Sequence, residues 1–135
     1  MTDAMTRDHD AALRGLFEHY AERYMASDAE AVSEMYAAPF LAVRSGIAIH
    51  LANRPAVREH LDGVMAAYRS SGAARADIEA LDLTWQGNRA VAATVRWIVR
   101  GGSGNTIRDF RTTYQLVGPD PWVIVSYVNH DVVEG

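Results

Sequence analysis

The sequence predicts an α+β domain in which three helices from the N-terminal half pack on a strongly curved, mostly antiparallel sheet that ends in a four-stranded meander. Two observations lead to this class. Apolar residues recur at helical spacing in the first half, and after Ala76 they change to extended runs separated by tight-turn signals. A length of 135 residues is typical of one domain. We therefore expect a single domain over 1–135, with a frayed tail at 1–7 and a second tail at 131–135.

Two helices are predicted to open the chain. The first begins at Asp8, and its apolar residues fall three and four positions apart, as on one face of a helix. These residues are Leu13, Leu16, Phe17, Tyr20 and Tyr24. Asp28 has the side chain of an N-cap and predicts a second, shorter helix that carries Val32 and Tyr36 and ends at Pro39.

Short strands are expected next, at 40–44 and 47–51. Asn53 and Pro55 then form a helix-start signal, because Pro is favoured in the first helical turn. The third helix should end at Gly72.

The rest of the chain is predicted to be a β-meander. The four strands span 77–86, 89–100, 106–117 and 122–130. Gly87-Asn88 is a hairpin signal, and none of the connections is long enough for a parallel crossover. Helices and meander together should form a layered fold, with the sheet curled around the helices.

Composition excludes several kinds of function. The formal charge of -4 gives no basic surface for nucleic acid and argues against an anionic membrane. The absence of cysteine excludes disulfides, thiolate nucleophiles and Cys-based zinc sites, and the absence of lysine excludes Schiff-base chemistry. We expect a cytoplasmic protein, since the first residues are polar and acidic and no apolar run could span a bilayer.

Three segments resemble the nuclear transport factor 2-like superfamily, in its SnoaL-like branches. They are YAERYMASDAEAVSEMYAAPF, NRPAVREHL and TTYQLVGPDPWVIVSYVNHD, and the resemblance spans residues 10–131. It implies a cone-shaped fold with a pocket at its wide end, commonly dimeric. Members include isomerases, dehydratases, cyclases and epoxide hydrolases, and also binding modules without activity, so the fold does not select a function.

Two of the family's reactions find no support in the residues. The ketosteroid isomerase branch places a carboxylate base after the second helix, but the stretch from Met35 to Arg58 contains no Asp or Glu. The epoxide hydrolases need an Asp–Arg–Asp set. Asp109 and Arg111 share a strand face, and no second acid is identifiable there.

His130 and Asp109 are the candidate catalytic residues. If the last hairpin turns at Pro119-Asp120, Asp109 lies opposite His130, and the carboxylate could hold the imidazole as a general base. A one-residue slip would separate them onto opposite faces. The alternatives are a histidine whose ring bonds the backbone or a neighbouring helix, and an Asp109 that is solvated or forms an ion pair with Arg96 or Arg111.

Five aromatic residues are candidates for lining a ligand pocket. They are Tyr20, Tyr24, Trp97, Tyr114 and Tyr127. Tyr24 or Tyr114 could hold a carbonyl oxygen of a ligand, which should be small, mainly apolar and oxygenated. The alternative for each is ordinary core packing.

The last strands carry apolar residues on both faces, and helices can cover only one face. We expect a second copy to cover the other in a homodimer. The preferred hypothesis is a small-molecule pocket protein that uses acid–base chemistry without a cofactor, in the manner of a cyclase or dehydratase. The alternative is a dimeric module that binds or interacts without turnover. No metal site is expected, because the spacing of His50, His130 and Asp109 does not fit one.

Overall fold

The computed structural model describes the backbone of residues 2–130 and the side chains of residues 8–130, and it contains three helices and six strands. The helices are α1 (Thr2–Met25), α2 (Ala29–Ser33) and α3 (Arg54–Ser70). The strands are β1 (Tyr36–Arg44), β2 (Ile47–Leu51), β3 (Ala73–Trp85), β4 (Ala90–Gly101), β5 (Thr106–Val117) and β6 (Val123–Asn129).

All of these strands join one open sheet in the order β2-β1-β6-β5-β4-β3. Neighbours run antiparallel except β1 and β6, which pair in parallel. The predicted meander is therefore confirmed as β3 to β6. The hairpin of β1 and β2 extends the sheet on the far side of β6. The parallel pair is possible because the long segment from β2 to β5, which includes α3, separates β1 from β6 in sequence.

The first helix is longer than predicted. α1 begins at Thr2, so the backbone of residues 2–7 is helical and does not form the frayed tail expected at 1–7. The second predicted tail, 131–135, lies outside the described residues.

The second helix is shorter than predicted. Asp28 caps it as expected, its side chain accepting a hydrogen bond from the amide of Ala31. Tyr36 does not belong to this helix, however, but opens β1, and Pro39 lies inside that strand. The pairing of β1 with β6 shifts register between Tyr36 and Leu41. An irregular stretch of this kind tolerates a residue that cannot donate a ladder hydrogen bond.

The third helix begins where its signals predict. The side chain of Asn53 accepts a hydrogen bond from the amide of Ala56, and Pro55 lies in the first turn. Gly72 follows the end of the helix at φ +83°, a conformation that glycine adopts without the steric cost of a Cβ.

The register of the last hairpin differs from the prediction. Thr113 pairs with Val128 rather than with Ser126, and the amide of His130 bonds the carbonyl of Arg111 rather than lying opposite Asp109. The turn is longer than a tight two-residue turn, because β5 ends at Val117 and β6 starts at Val123. A bulge in β6 shifts the register once more.

That bulge also changes which residues face inward. Gln115 pairs with Ser126, but the next residue, Leu116, pairs with Ile124. Ile124 and Tyr127 can therefore both be buried although they are three positions apart. Strict alternation along the strand would have placed them on opposite faces.

The core lies between the helices and the concave face of the sheet. Phe17 and Tyr20 of α1 pack on Trp97 and Tyr114, with the Phe17 and Tyr114 ring centroids 4.8 Å apart. Leu61 of α3 is fully buried in the same core. The predicted α+β class, with helices on one side of a curved and mostly antiparallel sheet, is confirmed. None of the helices in residues 2–130 is long and apolar enough to cross a lipid bilayer.

Candidate functional site

The five aromatic residues expected around a pocket all line one cavity. Tyr20 and Tyr24 reach it from α1, Trp97 from β4, Tyr114 from β5 and Tyr127 from β6. Its volume is about 50 Å³. A buried water needs roughly 10–15 Å³ on this measure, so the cavity holds a few small groups. A ligand-binding role for these residues stays a prediction.

Sheet register explains how three of these rings come together. Tyr114 and Tyr127 are direct cross-strand partners, and Trp97 lies opposite Phe110, four residues before Tyr114 on the same face of β5. Side chains of residues separated by an even number share one face of a strand. The concave faces of three adjacent strands thus all contribute aromatic rings.

The cavity wall carries several hydroxyl groups. The indole Nε1 of Trp97 donates to the Tyr114 hydroxyl at 2.9 Å, which leaves the proton of that hydroxyl able to donate elsewhere. The hydroxyls of Tyr20 and Tyr36 lie 2.7 Å apart. Among residues 8–130, the Tyr24 hydroxyl has no hydrogen-bond partner. Tyr24 and Tyr114 can therefore donate to a ligand oxygen.

Burial is the main cause that raises the pKa of Tyr20, Tyr24 and Tyr114 above the ordinary value, since a phenolate would lose its hydration there. The hydroxyls of these three residues therefore keep their protons at neutral pH. They are hydrogen-bond donors rather than bases.

An open hollow of about 600 Å³ adjoins the cavity, and we refer to it as the mouth. Arg44, Val64 and Tyr68 line both spaces, and His60 and Arg108 line the hollow. The mouth is thus formed by β1, α3 and β5.

His60 is tied to the cavity through Tyr127. Its Nε2 lies 2.8 Å from the Tyr127 hydroxyl, and Nη1 of Arg44 approaches the same hydroxyl at 3.4 Å. Burial, reinforced by the positive charge of Arg44, lowers the pKa of His60. A neutral imidazole next to a phenol is able to accept its proton.

The two candidate catalytic residues lie elsewhere. Asp109 is on the outer face of the sheet, where its carboxylate accepts from Nε of Arg96 at 3.0 Å and from Nη2 at 2.8 Å. The hydrogen bond to Arg96 is the main cause that lowers the pKa of Asp109, which makes it a weaker base. Nε2 of His130 lies 2.7 Å from the Thr113 hydroxyl.

Asp109 and His130 are therefore on the same face but do not pair, and neither lines the cavity. The corrected register is the physical reason, because it places Arg111 where Asp109 was expected. The alternative ion pair of Asp109 with Arg96 is the one observed.

Sequence reasoning missed His60, Arg44 and Arg108 at the mouth. His60 lies four positions before Val64, which faces the cavity, so helical spacing could have indicated it. Arg44 has the strand parity of buried Ala42, and Arg108 has the parity of buried Thr112. A charged residue in phase with the inward face at the end of a strand is the signal that could have indicated them.

No group of three or more His, Asp or Glu side chains within residues 8–130 is arranged to hold a metal ion. His50, considered as a ligand at the sequence level, is exposed on β2 and pairs with Leu41.

The fold defines a class of protein, the NTF2-like α+β proteins. The chain belongs to the family described as NTF2-like protein (DUF6841), whose model matches residues 10–132. A search of the curated proteins finds no match.

Solved structures share the fold at low sequence identity. An NTF2-like protein with a cystatin-like fold from Novosphingobium aromaticivorans is 21% identical with a TM-score of 0.74, covering 95% of this chain and 84% of its own. An NTF-2 like protein of unknown function from Shewanella oneidensis is 16% identical with a TM-score of 0.69, covering 90% and 98%. Aln2 from Streptomyces is 15% identical with a TM-score of 0.70, covering 89% and 88%. At this identity the likeness shows the fold alone.

The buried Tyr20–Tyr36 pair gives a first prediction. Replacing Tyr20 with Phe leaves the Tyr36 hydroxyl buried without its partner, so we expect a loss of about 1–3 kcal/mol in the free energy of unfolding. The double variant Tyr20→Phe/Tyr36→Phe should lose less free energy of unfolding than the sum of the losses of the two single variants. Urea unfolding measures this, with Tyr24→Phe as the control of small effect. Strictly additive losses would contradict the coupling.

The lowered pKa of His60 gives a second prediction. The unfolded chain binds a proton on His60 near the ordinary pKa of 6.5, whereas the folded chain binds it only at lower pH. The free energy of unfolding should therefore fall as the pH drops below about 6.5. The free energy of unfolding of the His60→Gln variant should fall less than that of the wild type. Urea unfolding across this range tests it, with His130→Gln as the control. Equal pH slopes in wild type and His60→Gln would contradict it.

Proposed function

We propose that this protein binds a small, mainly apolar molecule with one or two oxygen atoms in the aromatic cavity. The observation that carries the proposal is the convergence of five aromatic side chains from four elements on one space that also contains hydroxyl donors. Such a combination of apolar wall and few polar groups is typical of small-molecule sites. The SnoaL-like resemblance supports the same assignment.

The donors suggest how the ligand is oriented. The Tyr24 hydroxyl has no hydrogen-bond partner among residues 8–130, and the Tyr114 hydroxyl accepts from Trp97 and retains its own proton. Either group can donate to a carbonyl or hydroxyl oxygen of the ligand. The apolar part of the ligand would contact the rings of Tyr20 and Trp97.

Acid–base turnover is the second candidate, favoured by one contact. Nε2 of His60 is within hydrogen-bond distance of the Tyr127 hydroxyl, which lines the cavity. In an enzyme without a cofactor, Tyr127 would pass a proton between the ligand and His60. This pair replaces His130 and Asp109 in the cyclase- or dehydratase-like hypothesis.

A cytoplasmic location stays a prediction from the sequence.

Ligand binding can be tested by NMR titration with 1-hexanol, a neutral probe with one oxygen. We expect shifts at the indole N–H of Trp97 and at the amides of Tyr24 and Tyr114. Val64→Phe, which narrows the cavity at its junction with the mouth, should weaken binding by at least about tenfold, equivalent to 1.4 kcal/mol. Ile47→Phe, on an exposed part of β2, is the matched control. If Val64→Phe binds 1-hexanol as tightly as the wild type, as judged by these shifts, the proposal is overturned.

The homodimer is also part of the proposed function. Leu41, Val43, Val125 and Val128 lie on neighbouring strands β1 and β6, remain partly exposed and do not pack against the core. We define these four residues as the outer patch. An apolar patch on the outer face of a sheet suits a two-fold contact with a second copy.

Light scattering at micromolar concentration tests the dimer. Val128→Glu places a charge in the outer patch at a residue that is 43% exposed, so the single chain should fold while association is lost. Ile47→Glu, at an exposed residue outside the patch, should leave the dimer intact. A wild-type monomer would end this part of the proposal.

A further inference from the structure

Two arginines face the mouth of the cavity from different strands. Arg44 ends β1 and Arg108 lies near the start of β5, and both line the open hollow. Both are half-buried. The chain as a whole carries a formal charge of -4, so two cations at one opening run against its overall balance.

None of the ion pairs among residues 8–130 involves Arg44 or Arg108. Glu59 lines the same hollow but is exposed and forms no ion pair with either. His60, the other titratable group facing the hollow beside Tyr68, has a lowered pKa and is neutral at pH 7. Two positive charges and one negative charge leave the mouth with a formal excess of one positive charge.

The arginines are held in place by phenols instead of acids. Nη1 of Arg44 donates to the Tyr127 hydroxyl at 3.4 Å, and Nη1 of Arg108 donates to the Tyr68 hydroxyl at 2.8 Å. The Arg108 guanidinium also lies 3.9 Å from the centre of the Phe110 ring, a favourable cation–π contact. A guanidinium has five N–H donors, so most of the donors on each arginine remain available.

We propose that Arg44 and Arg108 bind the carboxylate of a small apolar monocarboxylic acid whose hydrocarbon part enters the aromatic cavity. The inference rests on the proposed ligand-binding function and names its ligand class. A guanidinium fork matches a planar carboxylate in geometry and in charge. A monoanion also matches the single excess positive charge, and a cavity of about 50 Å³ suits a short alkyl chain.

Hexanoate and 1-hexanol form the test pair, because they share a six-carbon skeleton and differ in charge. NMR titration should show that hexanoate binds at least about tenfold more tightly, as expected for hydrogen bonds to charged groups. Both ligands should shift the indole N–H of Trp97. Hexanoate alone should shift the Nε–H signals of Arg44 and Arg108. Added NaCl should weaken the binding of hexanoate but not the binding of hexanol.

Two variants and a control assign the effect. Arg44→Gln and Arg108→Gln should each lower hexanoate affinity about tenfold, a much larger loss than either causes for hexanol. Arg111→Gln removes an arginine from the opposite face of β5 and should change neither the hexanoate affinity nor the hexanol affinity. The spectra of the variants report whether each one folds, and the salt dependence of the unaltered protein tests the proposal without any variant.

The outcomes separate this inference from the proposed function. Equal affinity for hexanoate and hexanol would overturn the carboxylate site while the apolar pocket stands. No binding of either probe would overturn both. Binding of inorganic phosphate as tight as that of hexanoate would show a general anion site and would also overturn the proposed ligand class.

Discussion

The packing of the aromatic face of α1 against the concave side of the sheet is the constraint on which the rest of the structure depends. Phe17 and Tyr20 contact the rings of Trp97 and Tyr114, and these four residues belong to one buried core. The Tyr20 hydroxyl also bonds Tyr36, which connects α1 to the first strand. Tyr20, Trp97 and Tyr114 also line the small cavity, so core and cavity share one set of rings.

Most of the fold could be predicted from the sequence because its signals are local. A helical apolar stripe identified α1, the Asn53 cap identified the start of α3, and glycine turns separated the strands of the meander. The aromatic residues of the cavity were predictable for a related reason. Large apolar residues in phase with an inward face must meet where the faces converge.

The register and the mouth could not be predicted, because both depend on distant contacts. The β5–β6 turn allows several pairings, and the sequence does not specify the bulge that chooses among them. Asp109 was therefore expected beside His130, whereas it forms an ion pair with Arg96 on the neighbouring strand β4. The mouth brings Arg44 and Arg108 together from strands far apart in sequence, and only the assembled sheet places them at one opening.

The bulge in β6 lets two residues that are three positions apart share the inner face of the sheet. Because one additional residue is accommodated there, Tyr127 faces the interior after Ile124 has already done so. With the same residues and no bulge, strict alternation from Ile124 would turn Tyr127 to the convex side and carry its hydroxyl away from His60. The contact between the cavity-lining Tyr127 and His60 therefore depends on this local irregularity in β6 and not on strict strand alternation.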